Sequence, residues 1–244
     1  MRSTFCLKAL SVAIATFSVA STASAAGLDR SGQDITAFLQ DGTYAETVYT
    51  YIDADVTGKD TSGNKIDDIA EDYDFFRYGV KTDINDTFSI GVLYDEPFGA
   101  AADYVGDSNF VDATGEGTNV EVRTESLTGI LGAKFGENKE FQVYGGPVAQ
   151  RVKADVKLRG EAYSVANGYT LNVNADQDYG WLAGASYSKP EIALKAALTY
   201  RSEIEHTANS AELYPFVDSL PIPGLSANRS GDIEITTPES VNFD

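Results

Sequence analysis

Between Ile192 and Glu205 the chain alternates regularly enough to be read by parity. Ile192, Leu194, Ala196, Leu198, Tyr200 and Ile204 take even positions, broken only by Ser202, and Lys195, Thr199, Arg201, Glu203 and Glu205 take odd ones. A period of two predicts a β-strand with one apolar and one polar face, and this one runs longer than strands of soluble domains usually do. The pattern recurs. Phe76, Tyr78 and Val80 oppose Arg77 and Lys81, and Phe88, Ile90, Val92 and Tyr94 oppose Ser89, Gly91 and Asp95. Leu127, Leu131, Ala133 and Phe135 oppose Ser126, Thr128 and Lys134. Val148, Val152, Ala154, Val156 and Leu158 oppose Arg151, Lys153, Asp155, Lys157 and Arg159, and Trp181, Ala183, Ala185 and Tyr187 oppose Gly180, Gly184 and Ser186. Polar faces this rich in charge, on this many strands, fit lipid outside and water inside. The expected fold is an all-β, antiparallel transmembrane β-barrel.

The pattern predicts about eight strands: Thr43–Val56, Tyr73–Ile84, Thr87–Pro97, Asn119–Phe135, Glu140–Arg159, Tyr169–Ser188, Glu191–His206 and Asp232–Phe243. Their connections alternate in length. Asn85-Asp86, Gly136 to Lys139 and Lys189-Pro190 read as tight turns, whereas Gly58–Asp72, Phe98–Thr118 and Thr207–Gly231 read as long loops rich in Asp, Gly, Ser and Asn. Short turns on one side and long loops on the other are the habit of outer-membrane barrels. The 14 Tyr and 12 Phe, many near strand ends, suit an interfacial aromatic girdle.

The first 26 residues read as a secretory signal peptide. Arg2 and Lys8 form a positive start, Ala9 to Ala20 an apolar stretch too short to span a bilayer, and Ser21 to Ala26 a small-residue cleavage site. The expected organisation is residues 1–26 signal peptide, 27–42 a short N-terminal segment, and 43–244 the barrel region. Export places the chain outside the cytoplasm, and the strand pattern then favours the outer membrane of a Gram-negative bacterium. Cys6 lies within the signal, so the exported part has no cysteine for a disulfide or thiolate site. It keeps 16 Lys and Arg against 37 Asp and Glu, a formal charge of −21. Nothing there would neutralise phosphates, so nucleic acid is not expected as a partner.

The chain shows no nucleophile elbow, no phosphate loop, no zinc-binding histidine pair and no calcium-loop spacing. No enzymatic activity, metal or cofactor is expected. His206, the single histidine, reads as an interfacial residue on the apolar face of its strand.

Several stretches resemble the FadL-type transporters of long-chain fatty acids and hydrocarbons. They are Val48 to Val56, Ile84-Asn85-Asp86-Thr87-Phe88, Leu93-Tyr94-Asp95-Glu96-Pro97-Phe98-Gly99, Ala197-Leu198-Thr199-Tyr200-Arg201-Ser202-Glu203-Ile204, Leu220-Pro221-Ile222-Pro223 and Pro238-Glu239. The resemblance implies passive transport of a hydrophobic small molecule by a monomer, with a kink at Pro97, Phe98 and Gly99 that opens the wall sideways. Two features depart from the family. Residues 27–42 are a much reduced plug without its Asn-Pro-Ala sequence, and eight strands are fewer than the family's barrel, as in a partial or truncated member. Two other readings stay open: a small eight-stranded structural or adhesion barrel, and a soluble periplasmic lipid-binding β protein.

Within the transport reading, Arg151, Lys153, Lys157 and Arg159 share one strand face, opposite Val152, Ala154, Val156 and Leu158. If the apolar face meets lipid, these cations point inward as a carboxylate site, joined by Arg201. Phe216, Leu220, Ile222 and Leu225, in an apolar loop run, would hold the hydrophobic tail.

Overall fold

The structure, a computed structural model, describes residues 28–219 and 226–244. Its strands are β1 (Tyr44–Ile52), β2 (Gly58–Lys59), β3 (Lys65–Ile66), β4 (Tyr73–Asp83), β5 (Phe88–Asp95), β6 (Gly99–Asp103), β7 (Asn119–Phe135), β8 (Phe141–Lys157), β9 (Thr170–Lys189), β10 (Leu194–Arg201), β11 (Ile204–Leu213), β12 (Asn228–Thr237) and β13 (Ser240–Phe243). One antiparallel sheet takes the order β1-β4-β5-β7-β8-β9-β10-β13 and curls into half a barrel. The hairpin β11–β12 branches from it against the start of β9, and β6 joins the upper end of β7. The expectation of about eight antiparallel strands is met by the eight along this path. Among the described residues, β1 pairs only with β4 and β13 only with β10.

Over most of the sheet the convex face is apolar. Leu198 is 54% exposed while its neighbour Thr199 is fully buried. Phe76, Tyr78, Val80, Phe88, Ile90, Val92, Leu127, Leu131, Val143 and Trp181 all stand exposed on the outside. Lys81, Ser89, Ser126, Thr128 and Gln142, one parity step away, are buried on the concave side. A water-soluble sheet would bury the first set. Aromatic contacts between Phe135 and Phe141, and between Phe141 and Tyr187, mark the belt's edge near the tight turns.

Four parts of the sequence reading change. The stretch Glu191–His206 is not one strand. It breaks at Ser202-Glu203, where the backbone N–H of Ser202 still reaches the carbonyl of Trp181 (2.9 Å), and parity reverses across the break. Ile204 and His206 therefore point inward, and His206 is fully buried instead of interfacial. The expected loop Thr207–Gly231 begins with the rest of β11 and ends with the start of β12, which pair as a hairpin, and Phe98–Thr118 contains β6. Asp232–Phe243 divides at Pro238-Glu239 into β12, paired with β11, and β13, paired with β10.

The fourth correction concerns β8. Val152 and Ala154 are buried on the concave side, and Arg151 and Lys153 lie exposed outside. The even positions from Gln142 through Ala154 keep facing inward without a flip. What changes is the surroundings. Past Ala149 the strand has left the apolar belt, so the ordinary rule of apolar inside and charged outside resumes.

Candidate functional site

The concave face of the sheet is filled by the chain's own residues 33–42. Ile35, Ala37, Phe38 and Leu39 are buried there against Leu93, Ile130, Tyr144, Leu182 and Ala197. Tight backbone turning from Ile35 to Leu39, with N–H groups of Phe38 and Leu39 donating to Ile35 and Thr36 carbonyls, compresses the segment enough to fit. Asp34 starts this turn by accepting from the N–H of Thr36 at 2.6 Å.

Cations from three strands hold this segment. From β4, Arg77 pairs with Asp34 (2.8 Å), and Lys81 donates to the carbonyls of Gln40 (2.6 Å) and Gly42 (3.0 Å). Lys134 of β7 reaches Asp41 at 3.2 Å. From β10, Lys195 donates to Leu39 (2.6 Å) and Arg201 to the Gln33 carbonyl (3.2 Å). The inward parity of these strands thus converts scattered lysines and arginines into one cradle. Lys81 is fully buried and Arg77, Lys134 and Arg201 are partly so, and each of these would be costly without its acceptor, whereas Lys195 is exposed. A cavity of about 20 Å³, room for little more than one water, remains between Gln33, Asp95, Gln150 and Arg201.

The wall beside this cradle is interrupted. β5 ends at Asp95 and β6 begins at Gly99, both paired to β7, with Thr124 bridging the break through hydrogen bonds to Phe98 (N–H to Oγ1 2.8 Å; Oγ1 to O 2.8 Å). Pro97 lacks an N–H and cannot continue the ladder toward β4. β4 pairs with β5 only from Tyr78 downward, and the next bridge above is Ala70 to Ala102. Between these two, the backbone N–H contacts that cross among the described residues are Glu71 to the Ala101 carbonyl (3.3 Å), beside the bridge, and Phe76 to Glu96 (3.4 Å), in the gap itself. Arg30 sits on its inner side. Its N–H donates to the Pro97 carbonyl (2.9 Å), its guanidinium lies 4.2 Å above the Tyr73 ring, and Asp29 bridges to Phe98. Gly99 has no unusual φ; its missing Cβ leaves space that the Arg30 guanidinium fills.

The residues expected to form a carboxylate site are not brought together. Arg151 and Lys153 face outward. Lys157 and Arg159 both engage Glu116, at 3.1 and 2.8 Å. Arg159 also donates to the carbonyls of Leu158 (3.1 Å) and Tyr169 (2.8 Å) and to Thr170 (3.1 Å), which makes it a brace between two loops. Its hydrogen bond, and then that of Lys157, hold the Glu116 carboxyl below the ordinary range. Only Arg201 faces the concave side. Phe216 follows β11 in a short turn of helix, Pro215–Ser219, and Leu220, Ile222 and Leu225 lie outside the described residues. Sequence reasoning missed Phe38 and the cradle of Arg77, Lys81 and Lys195. The apolar run Ile35 to Leu39 just ahead of the first strand was the available sign.

A solved structure shares this architecture. The crystal structure of a Pseudomonas aeruginosa FadL homologue matches with a TM-score of 0.55 at 17% sequence identity, covering 82% of this chain and 54% of that one. The fold is FadL-like. This chain spans about half the length of that FadL homologue. No family model matches the chain, and no curated protein does.

Proposed function

We propose that the protein resides in the outer membrane of a Gram-negative bacterium and passes hydrophobic small molecules, of the long-chain fatty acid or hydrocarbon type, passively across it. The observation that carries this reading is the break in the wall beside Pro97, set next to a concave face filled by the chain's own N-terminal residues. A purely structural barrel needs neither feature. The outward apolar belt supports a bilayer setting, and the FadL-like fold supports the transport class. In this reading the long loops face the cell exterior, solute enters from that side, and the gap between β4 and β6 releases it sideways into the outer leaflet. The alternation of Pro97 and Gly99 with paired strands on either side gives the gap a fixed place.

The test is uptake of radiolabelled palmitate by cells that lack their own long-chain fatty acid transporter. Expression of this chain should bring it to the membrane fraction with heat-shifted gel migration, and uptake should rise above that of empty cells. A soluble protein, or a membrane-inserted one without excess uptake, would refute the proposal.

A further inference from the structure

Just above the apolar belt, the outer face of β7 and β8 carries three cations on two neighbouring rows. Arg151 stands opposite Glu125, and one row higher Arg123 stands directly opposite Lys153. Like charges placed opposite each other weaken strand pairing, so the pairing of β7 with β8 does not account for this row. It occurs although acids outnumber cations in the chain, 37 Asp and Glu against 18 Lys and Arg. Acids do stand near: Arg123 pairs with Glu121 of its own strand, and Glu121 faces Asp155 on the row above. The exposed side chains of Arg151 and Lys153, however, make no ion pair or hydrogen bond among the described residues. On the other strands with charge above the apolar stretch, the outward charged residues described are acids: Asp74 on β4, Glu205 on β11, and Asp232 and Glu234 on β12.

The height of this row is that of lipid headgroups. Lys153 lies four residues past Ala149, about 14 Å along the strand and about 10 Å in height once tilted, with Arg151 at half that rise. The polar layer of one leaflet is roughly 5–8 Å deep, and long cationic side chains bend toward the belt to reach it. Below the cations the wall is furrowed. Small Ala149 lies between Leu127 and Tyr179, which are 49% and 66% exposed, and a Cβ at Gly129 would meet nothing within 4 Å. Beside the cations, the exposed amides of Gln177 and Asn172 pair across with Arg151 and Asp155 and suit hydroxyl groups.

We propose that Arg123, Lys153 and Arg151 bind the phosphate of a phosphorylated glycolipid in the outer leaflet, whose acyl chains run down the furrow over Ala149 toward Trp181. Directly opposite residues stand about 5 Å apart at Cβ, so one phosphate takes both an ammonium and a guanidinium. The bound anion also relieves the repulsion between Arg123 and Lys153, which makes the lipid part of what holds β7 against β8. The inference rests on the outer-membrane placement proposed above and not on transport.

The full chain is refolded in maltoside micelles, which carry no phosphate, and titrated with lipid A bearing a doxyl group on one acyl chain. Trp181 is the only tryptophan, so quenching of its emission reads occupancy without a label on the protein. Arg123→Gln with Lys153→Gln should raise the dissociation constant of the diphosphorylated lipid about tenfold and leave that of the enzymatically dephosphorylated lipid unchanged. Lys139→Gln with Lys189→Gln, which removes two exposed cations at the end with the tight turns, should alter neither. Wild-type affinity in the Arg123/Lys153 variant, equal weakening of both lipids, or equal weakening in the Lys139/Lys189 variant overturns the site. So does displacement of the lipid by inorganic phosphate at matching concentration, which would mark an anion site indifferent to acyl chains. Palmitate uptake by the Arg123/Lys153 variant should match the wild type. A chain that inserts and takes up palmitate but does not distinguish the two lipids sinks this site alone, whereas one that never inserts sinks the placement and this site with it.

Discussion

Glu125 of β7 stands directly opposite Arg151 of β8, and the next outward pair on the same two strands is Leu127 with Ala149. The neighbouring strand repeats the change, since Gln177 of β9 pairs with Arg151 and Tyr179 with Ala149. Three adjacent strands thus pass from polar to apolar on their outer face at one register row. That coincidence locates the upper edge of the apolar belt better than any single strand could. From Leu127 to the aromatic edge at Phe135, β7 covers roughly 27 Å at about 3.4 Å per residue, or about 20 Å of height once tilted as barrel strands are.

The belt makes opposite demands on residues a few positions apart. Leu131, 62% exposed in its middle, should tolerate no charge, and Leu131→Arg should cost about 2–4 kcal/mol in equilibrium unfolding from lipid vesicles. Arg151→Ala, above the edge, removes only an exposed cross-strand partner and should cost less than about 1 kcal/mol. Equal losses in the two variants would mean that the row is not a membrane boundary.

This boundary also explains what the sequence could and could not convey. Strands lying wholly within the belt, such as β5 with Phe88, Ile90 and Val92 outside, were legible because alternation there has one meaning. β8 crosses the edge, so Val143 is apolar and outward while Val152 is apolar and inward, although both belong to one unbroken strand. Periodicity reports that two faces differ and is silent about which one meets lipid. The reversal at Ser202-Glu203 was hidden for a related reason, because one unpaired residue flips every side chain beyond it without disturbing composition. The cradle around residues 33–42 depends on contacts across 168 positions between Gln33 and Arg201 and 207 between Gln33 and Ser240, and no local pattern encodes those.

Gly99 and Arg30 should behave as a coupled pair. A valine at position 99 collides with the guanidinium and pushes it off Tyr73, so Gly99→Val should raise passage of a neutral hydrophobic solute through the gap. Arg30→Ala should raise it similarly, and the double variant should add little to either. Efflux of a labelled hydrocarbon from reconstituted vesicles gives the three rates. Fully additive effects would show that the two residues do not act at one place.

At the end with the tight turns, Lys81 and Asp83 tie the segment's exit to the wall. The Lys81 ammonium has no exposure; it reaches Asp83 at 2.6 Å as well as two backbone carbonyls, and Asp83 is also held by Ser89 (2.7 Å) and the N–H of Gly42 (2.8 Å). Lys81→Met fills similar volume but strands the acceptors, which should cost about 3–5 kcal/mol. The loss should be local before it is global. Limited proteolysis should cut near residues 40–42 in this variant while the strands stay protected, and an unchanged digestion pattern would contradict the tie.

His206 is the only histidine in the chain, so its titration can be followed without assignment. It lies on β11, whose outward residues Glu205, Thr207 and Asn209 are polar and stand above the belt. Gln150 accepts from Thr237 (2.7 Å) and lies 3.2 Å from His206 Nε2, while its own amide donates to Ser126 (3.1 Å). The carbonyl oxygen of Gln150 is thereby committed as an acceptor, which assigns the proton of neutral His206 to Nε2. Nδ1 is left facing Asp176 at 3.5 Å without a hydrogen bond. Burial lowers the imidazole pKa below its ordinary value, against the opposing pull of Asp176 and Asp178. The unfolded chain takes up its proton near pH ~6.5, so in the window just below that value it binds more protons than the folded one. Stability should therefore fall as pH drops through this window, and His206→Gln should flatten that part of the profile. Proton NMR of the ring should give a midpoint below about 6.5, and Asp176→Asn should lower it further by removing the charge that favours imidazolium. A midpoint at or above the ordinary histidine value, or one that Asp176→Asn leaves in place, would contradict the buried, Nε2-protonated arrangement.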